Sequence, residues 1–128
     1  MSMNKPIFGT DKPTITHENL SNFHGSEQMY FHPMFKGINY TEGVRYLMYN
    51  GAAWLVEAIL SHGLHNADIR SEEFIVVTLK VNDTEGILTF DDGNDNVLAR
   101  QVIQYTDFPL KEISFYLENG VLMLPSER

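Results

Sequence analysis

The chain contains no cysteine. Disulfides, thiolate metal sites and a cysteine nucleophile are therefore excluded together. Cations are scarce: 9 Lys and Arg stand against 17 Asp and Glu, for a formal net charge of −8. Neutralising a phosphate backbone takes Lys and Arg, so direct nucleic-acid binding is not expected. No apolar run reaches the roughly 20 residues of a membrane helix, and the strongest is interrupted by Glu57. No membrane contact is expected. Met1 to Thr10 has no apolar stretch of the kind a secretory signal needs, and with the missing cysteine this makes the cytoplasm the expected compartment. Tryptophan occurs once, as Trp54.

What remains is ordinary globular material. Hydrophobic residues at 43% and charged residues at 20% exclude a disordered chain, and 128 residues make one domain. The charge is uneven. Residues 1–70 hold 5 Lys/Arg and 6 Asp/Glu, whereas residues 71–128 hold 4 and 11. Five acids and no base fall between Asp83 and Asp95. Such a segment attracts basic surfaces, although acidic loops also serve solubility alone.

Residues 1–15 contain two prolines and no periodicity, and read as a flexible N-terminal arm preceding a single domain over 16–128. Thr16 to Gly25 has a cap, an apolar pair at Leu20 and Phe23, and a glycine stop, the marks of a short helix. Gln28 to Phe35 mixes aromatics with Pro33 and suggests an edge strand. From Thr41 to His62, Val44, Leu47, Met48, Gly51, Leu55, Ala58 and Ile59 recur at helical spacing. Asn50-Gly51 leaves two possibilities, one long helix or two helices bent there, with Gly63 as the stop. Trp54 shares this helix with Leu55 and Ile59 and is expected to be largely buried.

The period becomes two at Phe74. Ile75, Val77, Leu79 and Val81 form one face of a strand. Turns at 82–86 and 91–96 separate it from return strands over 87–90 and 97–105, and 112–117 and 121–124 flank Asn119-Gly120. With that dipeptide as a type I′ turn, Glu118 faces Val121, Leu117 faces Leu122 and Phe115 faces Leu124. The expected fold is α+β, with N-terminal helices on one face of a C-terminal antiparallel meander of about four or five strands.

Catalytic signatures are missing. His17, His24, His32, His62 and His65 show no chelating spacing, no serine lies in Gly-x-Ser-x-Gly, and no phosphate-binding glycine loop occurs. Asp91-Asp92-Gly93-Asn94-Asp95-Asn96 has the composition of a calcium-loop fragment but lacks its length, and is read as a hairpin turn. No catalytic residue, metal or cofactor is expected.

The blocks Tyr40-Thr41-Glu42-Gly43-Val44-Arg45-Tyr46-Leu47, Ala53-Trp54-Leu55, Asp91-Asp92-Gly93-Asn94, Tyr105-Thr106-Asp107-Phe108-Pro109-Leu110 and Leu117 to Glu127 resemble a family of small proteins of unknown function from bacteria, their phages and plasmids. The likeness spans about residues 19–127, with Glu42 where the family more often has Asp. It implies no activity or cofactor. It implies a setting, an accessory protein on mobile DNA, where proteins that blunt a host defence complex such as CRISPR are common.

The expected function is thus a non-enzymatic, acidic protein-binding module, an inhibitor of a nucleic-acid-handling or defence complex. Asp83, Glu85, Asp91, Asp92 and Asp95 are the expected electrostatic contacts to a basic protein surface. Tyr116, Val121 and Met123, on the outer face of the last hairpin, are the expected apolar contacts. A small hydrolase using His and Asp side chains, and a structural homo-oligomer built on that outer face, are the alternatives.

Overall fold

The structure, a computed structural model, describes residues 14–25 and 28–128. The arm expected over 1–15 lies outside the described residues up to residue 13. Ile15 is already buried in the core. The first helix, α1 (His17–Leu20), is capped as its sequence implies, the Thr16 hydroxyl oxygen accepting from the Asn19 N–H at 3.0 Å. Two short strands follow, β1 (Tyr30–Phe31) and β2 (Asn39–Tyr40).

The long helical stretch resolves into two helices. Between α2 (Glu42–Leu47) and α3 (Ala53–His65) runs a widened turn over Met48–Ala52, where Asn50 (φ −116°) and Gly51 (φ +102°) leave helical geometry. Gly51 takes the left-handed conformation that a side chain would resist. The Asn50 amide donates to the Tyr46 carbonyl at 2.7 Å, supplying a partner where the ladder is interrupted. The expected stop at Gly63 is a misassignment: α3 continues to His65. Gly63 instead permits close packing, since a Cβ there would lie 2.8 Å from Ile38 Cδ1 and 3.3 Å from Leu117 Cδ2. Asn66 ends α3 and caps α4 (Ala67–Arg70) through its side-chain oxygen.

The remaining strands are β3 (Phe74–Asn82), β4 (Glu85–Asp91), β5 (Val97–Ile103), β6 (Glu112–Glu118) and β7 (Val121–Met123). They do not form the expected meander. Among the described residues the sheet has seven strands in the order β1-β2-β7-β6-β3-β4-β5, larger than the four or five expected. After β5 the chain crosses back over β3, so that β6 pairs with β3 on the side away from β4. The edge strand expected within 28–35 is β1, outermost on its side of the sheet, whereas the two-residue β2 is too short for alternation to be readable and runs parallel to β7. The last hairpin keeps the expected register: Glu118 faces Val121, Leu117 faces Leu122 and Tyr116 faces Met123, with Asn119 and Gly120 at positive φ. The expected pairing of Phe115 with Leu124 is not formed, because β7 ends at Met123, although Leu124 is buried.

The two sheet faces differ as the alternation requires. Ile75, Val77 and Leu79 join Leu88, Phe90, Phe115, Leu117 and Leu122 in one core with Val44, Leu47, Leu55, Ile59 and Leu60 of the helices. The other face, with Phe74, Val76, Ile87, Tyr116, Val121 and Met123, is only half-buried. Among the described residues no helix is long and apolar enough to cross a membrane.

One buried carboxylate ties the ends of this fold together. Glu127, in the short 3₁₀ turn Pro125–Glu127, is 8% exposed. Its Oε1 accepts from the Thr41 hydroxyl at 2.5 Å and from the Leu124 N–H at 3.1 Å, and its Oε2 accepts from the Gly43 N–H at 3.0 Å. Thr41 does not cap α2 itself; it holds the carboxylate that does. Gly43 has no room for a side chain, since a Cβ would stand 2.5 Å from Glu127 Oε1.

Replacing Glu127 by Ala strands three donors in a dry place. The expected loss is about 2–3 kcal/mol of unfolding free energy. Gly43→Ala displaces the same carboxylate, so the double variant should lose much less than the two single losses added. Denaturant midpoints of the four chains check this; strict additivity would show that the two residues act separately.

Candidate functional site

The structure divides the residues expected to bind a partner into two groups. Asp83 and Glu85 lie at the β3–β4 turn, where Asn82 pairs with Glu85. Asp91, Asp92 and Asp95 lie at the β4–β5 turn, at the other end of the sheet. With six steps from Glu85 to Asp91, the two tips are about 20 Å apart. They are two patches and not one.

The second tip meets the apolar outer face. In cross-strand register Met123 pairs with Tyr116, Tyr116 with Val76, Val76 with Asp91, and Asp91 with Val97. This row crosses β7, β6, β3, β4 and β5 on the face away from the helices, and Asp91 is about 10 Å from Tyr116 along it. Val121 sits one pair further out, opposite Glu118, which pairs in turn with Phe74. Tyr116, Val121, Met123 and the 91–95 acids thus share one end of one face. Arg128 lies on it too, its guanidinium 4.6 Å from the Phe74 ring centre and 5.5 Å from that of Tyr116, while it pairs with Glu118 at 3.0 Å.

The acidic tip is a built turn. Asp91 Oδ1 accepts from the Gly93 N–H, and Asp92 Oδ1 from the Asn94 N–H, both at 2.8 Å. The Asn96 amide donates to Asp92 Oδ2 at 2.9 Å. Hydrogen bonds from the Asn96 side chain and the Asn94 backbone hold the Asp92 carboxyl below its ordinary value of 3.8. A depressed folded value adds stability above the unfolded value and loses it as pH falls through the folded one. The tip therefore keeps the Asp92 charge to a lower pH than a free aspartate does.

Trp54 packs against the core as expected but keeps a partly exposed side, with Phe108 edge-on and ring centres 6.5 Å apart. Its free side lines a cleft of about 470 Å³ with Thr84, Tyr105, Thr106 and Asp107. Helical spacing placed Trp54 beside core residues correctly, but it could not show that the β5–β6 crossover stops short of covering the indole. A second feature the sequence did not reveal is Arg45, whose guanidinium lies 4.6 Å from the Tyr30 ring centre and 4.9 Å from that of Tyr49. It fastens β1 to the bent helix. Burial first, then the neighbouring Tyr49, pushes the Tyr40 hydroxyl up, so it stays neutral.

Two of the histidines, His32 and His62, are each engaged by separate partners. His32 Nδ1 accepts from the Met34 N–H at 3.1 Å, which leaves the neutral ring's proton on Nε2 facing Glu57 at 2.8 Å. His62 Nε2 bonds Gln101 at 2.8 Å over the Phe90 ring. The Ser21, Ser71 and Ser126 hydroxyls donate to main-chain carbonyls. Among the described residues no three His, Asp or Glu side chains are grouped to hold a metal ion.

The chain belongs to the family of unknown function DUF6876, whose model matches residues 14–128. No curated protein and no solved structure matches it. Two of the sequence blocks that carry the resemblance, Tyr40 to Leu47 and Leu117 to Glu127, meet at the Glu127 carboxylate.

Because the indole is partly exposed at the cleft, Trp54→Ala should cost about 2 kcal/mol, below the roughly 3–5 kcal/mol of a fully buried aromatic. Thermal or urea unfolding measures this. A loss in the full-burial range would mean that the cleft is closed in solution.

Proposed function

We propose that this chain is a non-enzymatic binding module that docks a basic protein surface on the end of its sheet that carries Tyr116, Val121, Met123 and the Asp91-Asp92-Asp95 turn. The observation that supports this most directly is the shared register row, which sets an acidic tip beside a half-exposed apolar strip. An apolar strip supplies contact area, while a charged rim steers encounter and selects a partner of opposite sign. The residues 71–128 supply 11 acids against 4 bases, so the attracted partner is cationic. A groove built to hold a phosphate backbone is a surface of that kind. Occupying it would make the chain an inhibitor of a nucleic-acid-handling complex, host defence complexes included.

A homo-oligomer is the second reading, favoured by Val97 and Val102 on the outermost strand β5, each 55% exposed. Edge strands with exposed apolar residues pair readily with a second copy.

The test is affinity capture from a lysate of the source organism, followed by kinetics on the captured protein. Association should slow by about tenfold or more between low and high salt. Asp91→Asn, Asp92→Asn and Asp95→Asn together should slow it likewise. The folding midpoint should fall only slightly, because at Asp91 and Asp92 an Asn keeps one acceptor oxygen for the turn's backbone N–H groups. Tyr116→Ser with Met123→Ser should speed dissociation. A complex indifferent to salt and to both sets removes the reading. A chain that is dimeric by light scattering, and made monomeric by changes in β5, replaces it with the oligomer.

A further inference from the structure

The Trp54 cleft lies at the end of the molecule opposite the docking surface proposed above, and it has a chemistry of its own. It is lined by the indole of Trp54 and by Tyr105, the latter 86% exposed. Asp107 and Thr84 also line it, and Thr84 is flanked in the β3–β4 turn by Asp83 and Glu85. Hydrogen bonds hold the backbone beneath the cleft. The Thr106 N–H donates to the Thr84 carbonyl at 2.8 Å, tying the crossover to the turn, and the Phe108 N–H donates to the Thr106 hydroxyl oxygen at 3.0 Å. Phe108 in turn is buried and holds the indole edge-on.

Electron-rich ring faces bordered by carboxylates attract organic cations, and the indole is the strongest such face. Elsewhere the chain satisfies this chemistry internally: Arg45 lies over Tyr30 and Tyr49, and Arg128 over Phe74 and Tyr116. Among the described residues, no arginine or lysine of the chain lies over Trp54 or Tyr105. We infer that this cleft receives an arginine or lysine side chain of a partner polypeptide, the cation lying between the two rings and the acids drawing it in. A neutral side chain of the same shape gains the apolar contact but neither the ring–cation attraction nor the carboxylates. The inference does not rest on the open-face reading, and it gives Asp83 and Glu85 a place that the register row does not.

Trp54 is the chain's only tryptophan, so emission excited beyond the tyrosine absorption comes from the residue that lines this cleft. The experiment is a fluorescence titration of the full chain with a short blocked peptide containing one arginine. The same peptide with lysine and the same peptide with citrulline, which is neutral and nearly isosteric with arginine, run in parallel. The arginine and lysine peptides should give a saturable change at low salt, with citrulline at least about threefold weaker. Tyr105→Ala and Asp107→Asn should each weaken the arginine peptide by about threefold or more and leave the melting temperature unchanged, since both residues are exposed. Tyr116→Ser with Met123→Ser, at the other end, should leave the titration as it was. Equal binding of arginine and citrulline would overturn the inference and leave an apolar cleft. So would the lack of a saturable change, or a response that survives both cleft variants. Failure here leaves the open-face proposal standing, and failure of the open face leaves this one.

Discussion

Glu127 is the residue on which the arrangement most depends. A carboxylate in a nearly dry position is costly unless its lone pairs are filled, and here a hydroxyl and two backbone N–H groups fill them. The consequence reaches past the helix it caps. Thr41 follows β2 directly, and the Thr41 N–H donates to the Leu122 carbonyl at 3.1 Å while the Asn39 N–H donates to that of Gly120 at 2.8 Å. Pinning the last residues against the start of α2 therefore also seats β2 beside β7. That parallel pair, joined by residues about eighty positions apart, keeps β7 off the sheet edge and carries β1 with it.

The same closure explains which face of the sheet is left free. With α2 anchored at β7 and α3 crossing over Gly63 against Leu117, the helical layer is committed to one side. The alternating residues of β3, β4 and β6 on that side reach complete burial, whereas their neighbours on the other side stop at half. Arg128, the residue after Glu127, then falls across Phe74 and Tyr116 and pairs with Glu118. The C-terminal residues thus close the core with one side chain and partly screen the open face with the next.

Periodicity carried the sequence reading as far as it could. β3 and the last hairpin were legible because each has enough residues to show a period of two, and Asn119-Gly120 fixes a register without help. The Asn50-Gly51 bend was legible as a choice, and the positive φ of Gly51 decides it. Strand β1 was legible only as an edge strand somewhere in 28–35 and β2 was not legible, because two residues carry no period and their pairing is set by contacts far along the chain. Strand order was hidden for the same reason: a crossover of eight residues, 104–111, can return to either side of β3. Gly63 looked like a helix stop, since glycine signals both a terminus and a close approach, and only Ile38 and Leu117 tell which. Glu127 had no signal at all, one acid among 17.

The candidate site follows the same division. That the five acids of 83–95 fall on hairpin tips was readable from Asp, Asn and Gly content. That two tips flanking one strand point to opposite ends follows from the antiparallel connectivity, and strand length sets only their separation. Which apolar neighbours each tip acquires is a matter of strand order, and that was not readable. Because β6 returns beside β3, the 91–95 tip gains Tyr116 and Met123 as neighbours across Val76. Because the crossover passes the 83–85 tip, that tip gains Trp54 and Tyr105 instead. A simple meander would have placed β6 beyond β5, moved Tyr116 away from Val76, and left both tips as bare acids. The crossover gives each acidic turn an aromatic companion, and an acid beside an exposed ring discriminates among partners in a way that charge alone does not.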